Sequence, residues 1–194
     1  MIDAKIVMQL RATTGAGMMD AKSALEETGG DLEKAADLLR KKGVVKADKK
    51  SERATGEGRV FVYSHANGRL GAMIELFCET DFVAKTDQFQ ELGHDLALHI
   101  AAVNPNYVRR EEVPAEILEK EKEIYRAEIA GQNKPPEIVE KIIEGKLNKF
   151  YADNCLLEQP FIKDDTKTVE TLIKEVIGVL GENMQVGRMT RLSF

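Results

Sequence analysis

Residues 60–83 read VFVYSHANGRLGAMIELFCETDFV and contain the clearest structural signal in the chain. Two runs rich in β-branched and aromatic residues, 60–63 and 70–78, flank Asn67-Gly68, a dipeptide that supplies the positive φ angles of a type I′ turn. This pattern predicts a β-hairpin. Apolar residues fall on both faces of the second strand, so we expect both faces to be at least partly covered, one by helices and one by a partner.

The predicted second strand leads into Thr80–Val83, which we call the junction segment because a helix is predicted to follow it. Asp81 and Phe82 place a carboxylate and a phenyl ring side by side there, with no recognisable catalytic partner nearby in the sequence. We predict that this segment is inserted into another protein and does not act on a substrate. The alternative, which these residues alone favour, is that Phe82 is an ordinary core residue beneath the helix.

Residues 1–43 predict a small domain of three short helices. Asp3 and Asp31 are suitable N-caps for the first and third helices, and Gly43 is expected to end the third. Residues 44–55 then form a polar linker, which we interpret as a solvated connector and not as a nucleic-acid-binding patch. Three such helices enclose a small core, which is typical of a compact recognition module.

Residues 56–194 predict an α+β core. A long helix is expected to begin near Asp87, and two charged amphipathic helices predict a projecting helical hairpin at about 114–151. A further helix ends at Gly181, and residues 184–192 form a last strand that joins the β-hairpin in a small antiparallel sheet. The helical hairpin fits a docking arm and a solvated face equally well.

The composition is that of an ordinary globular protein, with 43% hydrophobic and 31% charged residues among 194. A net charge of −5 argues against a nucleic-acid binder that relies on a global positive field. The start of the chain has no cationic segment followed by an apolar run, and no apolar stretch approaches the roughly 18 residues that span a bilayer. We therefore expect a soluble cytoplasmic protein that binds neither nucleic acid nor membranes.

The candidates for catalysis are weak. Cys78 with His94 or His99 would supply a thiol nucleophile and a base. However, Cys78 lies on the apolar face of its strand, which favours a buried, inert thiol, and His99 fits a hydrogen-bonded residue at the edge of an apolar helix stripe. Cys155 lies far from Cys78 in the sequence, so neither a disulfide framework nor a zinc site is indicated. We predict no enzymatic activity, no cofactor and no metal site.

Four motifs occur along nearly the whole chain: TGAGMMD at 14–20, ETDFVA at 79–84, HIAA at 99–102 and QPF at 159–161. Together they resemble the translation elongation factor Ts family, and the first two carry most of the resemblance because they are the longest. The resemblance implies a ubiquitin-associated-like N-terminal domain followed by an α+β core. It also implies a guanine nucleotide exchange factor for the GTPase elongation factor Tu, with no covalent chemistry of its own.

In that family, the segment that matches Thr80–Val83 is associated with dislodging the magnesium ion from the GTPase. The resemblance therefore implies a partner-binding site formed by Thr80, Asp81, Phe82 and Val83. Asp81 and Phe82 would be its tip, and the Phe82 ring would enter an apolar crevice near the nucleotide. The role of Asp81 stays open between repulsion, hydrogen bonding and helix capping.

The resemblance implies further contacts and a quaternary structure. Met18 and Met19 match a methionine pair that would dock the small domain on a GTPase helix, although one of the two also suits the core. His99 is a candidate partner contact. The chain resembles the short form of the family, which lacks a second, quasi-symmetric half of the core, so we expect a homodimer.

A second class of function remains open at this point. The N-terminal helices and the charged helical hairpin also fit a non-catalytic binding module, associated with the ribosome or with a chaperone, that has no exchange activity. This alternative accounts for the helical hairpin but leaves the junction segment unexplained.

Overall fold

The computed structural model describes residues 2–132 and 134–194. Within these residues it contains eight α-helices and five β-strands, so the prediction of an α+β fold is confirmed. The helices are α1 Ala4–Thr14, α2 Met18–Glu27, α3 Leu32–Asp48, α4 Asp81–Ala84, α5 Asp87–Val103, α6 Ala115–Ile129, α7 Pro136–Asn154 and α8 Val169–Leu180. The strands are β1 Glu57–Ser64, β2 Leu70–Cys78, β3 Pro160–Phe161, β4 Asp164–Thr168 and β5 Met184–Ser193.

The described chain forms two compact units. The first comprises the chain up to Val60, Glu75–Gly93 and Thr171–Val186. The second comprises Phe61–Ile74, His94–Glu170 and Gly187–Phe194. The division into residues 1–43, 44–55 and 56–194 that the sequence suggests stays a prediction.

The three N-terminal helices of the first unit form as the sequence predicts. Asp3 caps α1 by accepting a hydrogen bond from the Lys5 amide, and Asp31 caps α3 by accepting one from the Lys34 amide. The helices enclose a core of small and medium-sized apolar side chains. Its fully buried members are Val7, Leu10, Ala21, Ala24, Leu25 and Ala35.

The prediction that Gly43 ends the third helix is wrong, because α3 continues to Asp48. The first part of the predicted linker at 44–55 is therefore helical. Gly43 instead lies at a close helix crossing in the first unit: a Cβ added to Gly178 of α8 would stand 2.6 Å from the Gly43 Cα. Two glycines without side chains permit this approach of the backbones, so Gly43 serves packing and not termination.

The main sheet has the strand order β1-β2-β5, so the last strand joins the β-hairpin as the sequence predicts, and it does so beside β2. Its central strand β2 has the predicted bounds, and one face is buried through Ala72, Ile74, Leu76 and Cys78. On the opposite face Met73 is 44% exposed, so the described chain leaves this face partly open, and its coverage by a partner stays a prediction. The central strand thus presents one closed and one partly open surface.

The turn between β1 and β2 differs from the predicted type I′ turn. The His65 amide donates to the Leu70 carbonyl, and the Gly68 amide donates back to the His65 carbonyl, so the loop is longer than two residues. Gly68 has a φ angle of 67°, whereas Asn104 is the only described non-glycine residue with a positive φ. Asn67 therefore lacks the φ angle that a type I′ turn requires of it.

In the second unit α6 and α7 pack together, which confirms the predicted helical hairpin. Ile143 is buried at this contact side of α7, and Lys146 of α7 pairs with Glu128 of α6. Asn133, within the predicted hairpin, lies outside the described residues. None of the helices in the described part of the chain has the length and apolar character of a membrane span.

Candidate functional site

The junction segment forms a short helix that begins three residues after β2 ends. Thr80 is its N-cap, with extended backbone angles and a hydroxyl oxygen that accepts from the Val83 amide at 3.4 Å. The helix α4 that follows has only four residues. One turn of helix is not stable alone, so its shape depends on contacts outside the turn.

Phe82 projects from this turn into solvent, with 78% of its surface exposed. Its neighbours Val83 and Ala84 are buried at 8% and 5% exposure and attach the turn to the first unit. The interpretation of Phe82 as a core residue is therefore wrong. A large exposed aromatic ring on a fixed turn contributes little to folding and is typical of a contact surface.

Asp81 and Lys85 form an ion pair beside the ring, with 2.5 Å between the carboxylate oxygen and the ammonium nitrogen. The hydrogen bond from Lys85 lowers the pKa of the Asp81 carboxyl below its ordinary value, so this group is ionised at neutral pH. The Lys85 nitrogen lies 6.0 Å from the Phe82 ring centroid. Since the two charges compensate each other, the tip of the segment combines an apolar ring with little net charge.

The segment is held on its N-terminal side by the turn between α8 and β5, which the sequence analysis missed. Both oxygens of the Glu182 carboxylate accept from Thr80, one from its amide at 3.0 Å and one from its hydroxyl at 2.7 Å. The Asn183 amide in turn donates to the Glu79 carboxylate at 2.6 Å. More than 100 residues separate these partners in the sequence, so no local pattern indicated the contact.

The C-terminal side of the segment is held by the start of α5. The Thr86 hydroxyl donates to the Val83 carbonyl at 2.8 Å, and the Gln90 side-chain amide donates to the Ala84 carbonyl at 2.6 Å. These bonds satisfy carbonyl groups that a four-residue helix leaves without intrahelical partners. The turn is therefore fixed at both ends while Phe82 between them remains exposed.

Met18 and Met19 begin α2 in the same unit and are 46% and 75% exposed. The expectation that one of them belongs to the core is not met, because the fully buried residues of α2 are Ala21, Ala24 and Leu25. Exposed methionines offer flexible, polarisable side chains that adapt to an apolar partner surface. Both side chains are thus available for the predicted docking contact.

His99 lies in the second unit and is fully buried. Its Nδ1 accepts from the Ile162 amide at 3.2 Å, so Nε2 carries the proton and donates to the Gln159 side-chain oxygen at 2.9 Å. Burial lowers the pKa of His99 below its ordinary value, which keeps the ring neutral. A buried ring with both nitrogens bonded internally does not present a surface to a partner, which corrects the predicted partner contact at His99.

Cys78 lies beneath the junction segment and is fully buried, with its thiol donating to the Thr80 carbonyl at 3.1 Å. Burial raises the pKa of this thiol, so the reactive thiolate is disfavoured. In residues 2–132 and 134–194 no group of three or more His, Cys, Asp or Glu side chains is arranged to hold a metal ion. The burial of Cys78 and its hydrogen bond to Thr80 indicate that it packs beneath the junction segment.

Known proteins match the chain over its whole length. A family model described as "Elongation factor TS" matches residues 40–177. The chain is 55% identical to "Elongation factor Ts" of Thermosipho melanesiensis over 193 residues, which cover 100% of this chain and 98% of that protein. It is 58% identical to "Elongation factor Ts" of Geobacter sulfurreducens over 190 residues, which cover 98% of this chain and 88% of that protein. The chain therefore belongs to the elongation factor Ts family.

Proposed function

We propose that this protein is a guanine nucleotide exchange factor for elongation factor Tu. It binds the GDP-bound GTPase and promotes release of GDP by disturbing the magnesium and phosphate site with Thr80–Val83. The observation that carries this proposal is the 78% exposure of Phe82 on a turn that is fixed at both ends. The activity needs no covalent step and no cofactor of its own, and it takes place in the cytoplasm.

The energetics of exchange are compatible with a contact of this size. GTPases hold their nucleotide through P-loop amides, a lysine and a magnesium ion that bridges the phosphates. An exchange factor must bind the nucleotide-free or distorted GTPase more tightly than the loaded one, and each ligand then weakens the other equally. A hundredfold weakening requires about 2.7 kcal/mol. Burial of one phenyl ring in the distorted state alone supplies about 1.5–3 kcal/mol.

Met18 and Met19 supply a second contact that contributes affinity. They dock the three N-terminal helices on an apolar helix of the GTPase, while Phe82 acts at the nucleotide site. The support for this role is the exposure of both methionines at the start of α2. The methionines are expected to affect binding strength more than the maximal rate of exchange.

The protein is further proposed to form a homodimer through the partly open face of its sheet. In the second unit Val62, Met73 and Leu192 are 54%, 44% and 73% exposed, and they belong to the three strands of the main sheet. Exposed apolar residues on a sheet face are typical of an association surface. We expect a dimeric mass by light scattering at micromolar concentration, and Met73→Glu should produce monomers; a monomeric wild-type protein would contradict the dimer.

The activity is tested by stopped-flow release of fluorescent GDP from elongation factor Tu, with and without this protein. Acceleration of release by at least about a hundredfold is expected from the coupling described above. Binding to elongation factor Tu without acceleration would favour the alternative of a binding module. Absence of binding would contradict the proposed partner.

A further inference from the structure

We propose that Glu182 is a positioning residue for nucleotide exchange, because its carboxylate holds the junction segment in the conformation that presents Phe82. This inference rests on the proposed function. Glu182 does not belong to the segment itself and is partly buried. It acts through Thr80, which donates a hydrogen bond to each of its two carboxylate oxygens.

The chemistry of Thr80 requires a partner that only accepts hydrogen bonds. Its amide and its hydroxyl both donate to Glu182, at 3.0 and 2.7 Å. Because the hydroxyl proton points to the carboxylate, a lone pair of the same oxygen faces the Val83 amide and caps the turn. A carboxylate has two acceptor oxygens for this purpose, whereas a glutamine has one oxygen and one donor.

The turn needs such an anchor because its other N-terminal contacts, from the Cys78 thiol to the Thr80 carbonyl and from the Asn183 amide to Glu79, do not engage the two donors of Thr80. Phe82 is mostly exposed and adds little buried area, and a four-residue helix lies below the length at which helices form on their own. Thr86 and Gln90 hold only the C-terminal carbonyls. Loss of the Glu182 anchor would therefore allow the Thr80 end to fray while the remaining fold is kept.

The turn between α8 and β5, which carries Glu182, is itself held by hydrogen bonds. Gly181 ends α8 with a φ of +80°, and its carbonyl accepts from the Lys50 ammonium at 2.6 Å. Asn183 is buried at 2% exposure, and its side-chain amide donates to the Ser51 and Arg53 carbonyls at 3.1 and 2.7 Å. The turn between α8 and β5 thus connects the end of the N-terminal helical region with the junction segment inside the first unit.

The test compares Glu182→Ala, Glu182→Gln, Phe82→Ala and the double variant of Glu182→Ala with Phe82→Ala in the full-length protein. Stopped-flow release of fluorescent GDP from elongation factor Tu gives the maximal rate and the half-saturating concentration for each. NMR measures hydrogen exchange of the Thr80 amide in the free protein. Glu52→Ala, which removes an exposed carboxylate in the same unit, is the matched control, and thermal unfolding checks that each variant is folded.

For Glu182→Ala we expect a maximal exchange rate about fivefold lower, with a half-saturating concentration changed less than about twofold. Glu182→Gln should lie between this variant and the wild type, because it keeps one acceptor. In the Phe82→Ala background Glu182→Ala should have little further effect, since there is no ring left to position. The Thr80 amide should exchange about tenfold faster or more once its acceptor is removed.

Two results would overturn the inference while leaving the proposed function intact. One is a maximal exchange rate for Glu182→Ala that equals the wild-type rate, while Phe82→Ala exchanges slowly. The other is an equal loss in both backgrounds, which would assign Glu182 to general stability. If the wild-type protein itself fails to accelerate GDP release, the proposed function fails. The anchoring contact is tested separately, since unchanged hydrogen exchange of the Thr80 amide in Glu182→Ala would refute it.

Discussion

The junction segment and the His99–Gln159 pair belong to three distinctive sequence motifs, yet the environments of the segment and the pair are opposite. Phe82 is 78% exposed although it is one of the most apolar side chains, and His99 is fully buried although it is polar. The burial of His99 is possible because both ring nitrogens have internal partners. The exposure of Phe82 is possible because the turn beneath it is held by other residues.

A distinctive sequence motif can therefore serve the binding of a partner, as at Phe82, or the stability of the fold, as at His99. An exposed ring on a fixed turn contributes to a complex and leaves the free protein's stability nearly unchanged. A buried, fully bonded polar pair contributes to the stability of the fold, and its removal leaves a donor or an acceptor without a partner. Substitutions at the two places should therefore change different observables.

The largest expected effect is on stability. His99→Ala should lower the free energy of unfolding by about 3 kcal/mol, because it leaves a cavity and removes the partners of Gln159 and of the Ile162 amide. Chemical denaturation measures this change, and His65→Ala, which alters an exposed histidine of the same unit, should change it by less than about 0.5 kcal/mol. An equally small effect of His99→Ala would break the comparison.

Phe82→Ala should show the reverse pattern. We expect exchange on elongation factor Tu to slow at least about tenfold, equivalent to about 1.4 kcal/mol, with an unfolding free energy within about 0.5 kcal/mol of wild type. Stopped-flow GDP release and denaturation are measured on the same preparation. Val45→Ala truncates another exposed apolar residue in this unit and should leave the rate unchanged. Strong destabilisation of the protein by Phe82→Ala would show instead that the ring contributes to the core.

The pH dependence of the unfolding free energy gives a further test of the buried His99. Burial holds the pKa of His99 in the folded protein below the 6.5 of an ordinary histidine, so below pH 6.5 the unfolded chain binds a proton that the folded chain does not. Stability should therefore fall as the pH falls below 6.5, by up to about 1.4 kcal/mol per pH unit from this group. His99→Gln should lose this part of the slope, and an unchanged slope would show that His99 does not contribute it.

The smallest expected effect is at the methionine pair. Met19→Ala should weaken binding to elongation factor Tu by about threefold to tenfold through loss of buried apolar area, with a nearly unchanged maximal exchange rate. Met8→Ala, on the neighbouring helix α1, truncates a methionine of 59% exposure and serves as the control. If Met19→Ala lowered the maximal rate instead of the affinity, the division of labour between Met19 and Phe82 would be wrong.

Local patterns predicted the regular elements well where one physical signal dominated. The alternation of apolar residues in β2 gave its bounds as Leu70–Cys78, and the caps at Asp3 and Asp31 marked the starts of α1 and α3. The prediction that Gly43 ends a helix was wrong because glycine, which often ends helices, also permits close helix packing. Its packing partner Gly178 is remote in the sequence. The choice between these roles depends on tertiary contacts.

The position of the candidate site could be predicted from the sequence, but the contacts that hold it in place could not. The sequence placed Phe82 at the end of a strand, and its resemblance to a known family supplied a partner for the ring. Without that resemblance the residues favoured burial of this ring, because they could not show that Val83 and Ala84 are the side chains buried beneath the turn. The contact of Glu182 with Thr80 spans 102 residues and leaves no trace in local composition.

The central claim is that the exposed Phe82 ring carries coupling between this protein and GDP on elongation factor Tu. The most direct measurement is the Kd of GDP for elongation factor Tu with and without saturating amounts of the wild-type or Phe82→Ala protein. We expect the wild type to raise this Kd at least about a hundredfold, and we expect the increase with Phe82→Ala to be at least about tenfold smaller. An equal increase with both proteins would contradict the central claim.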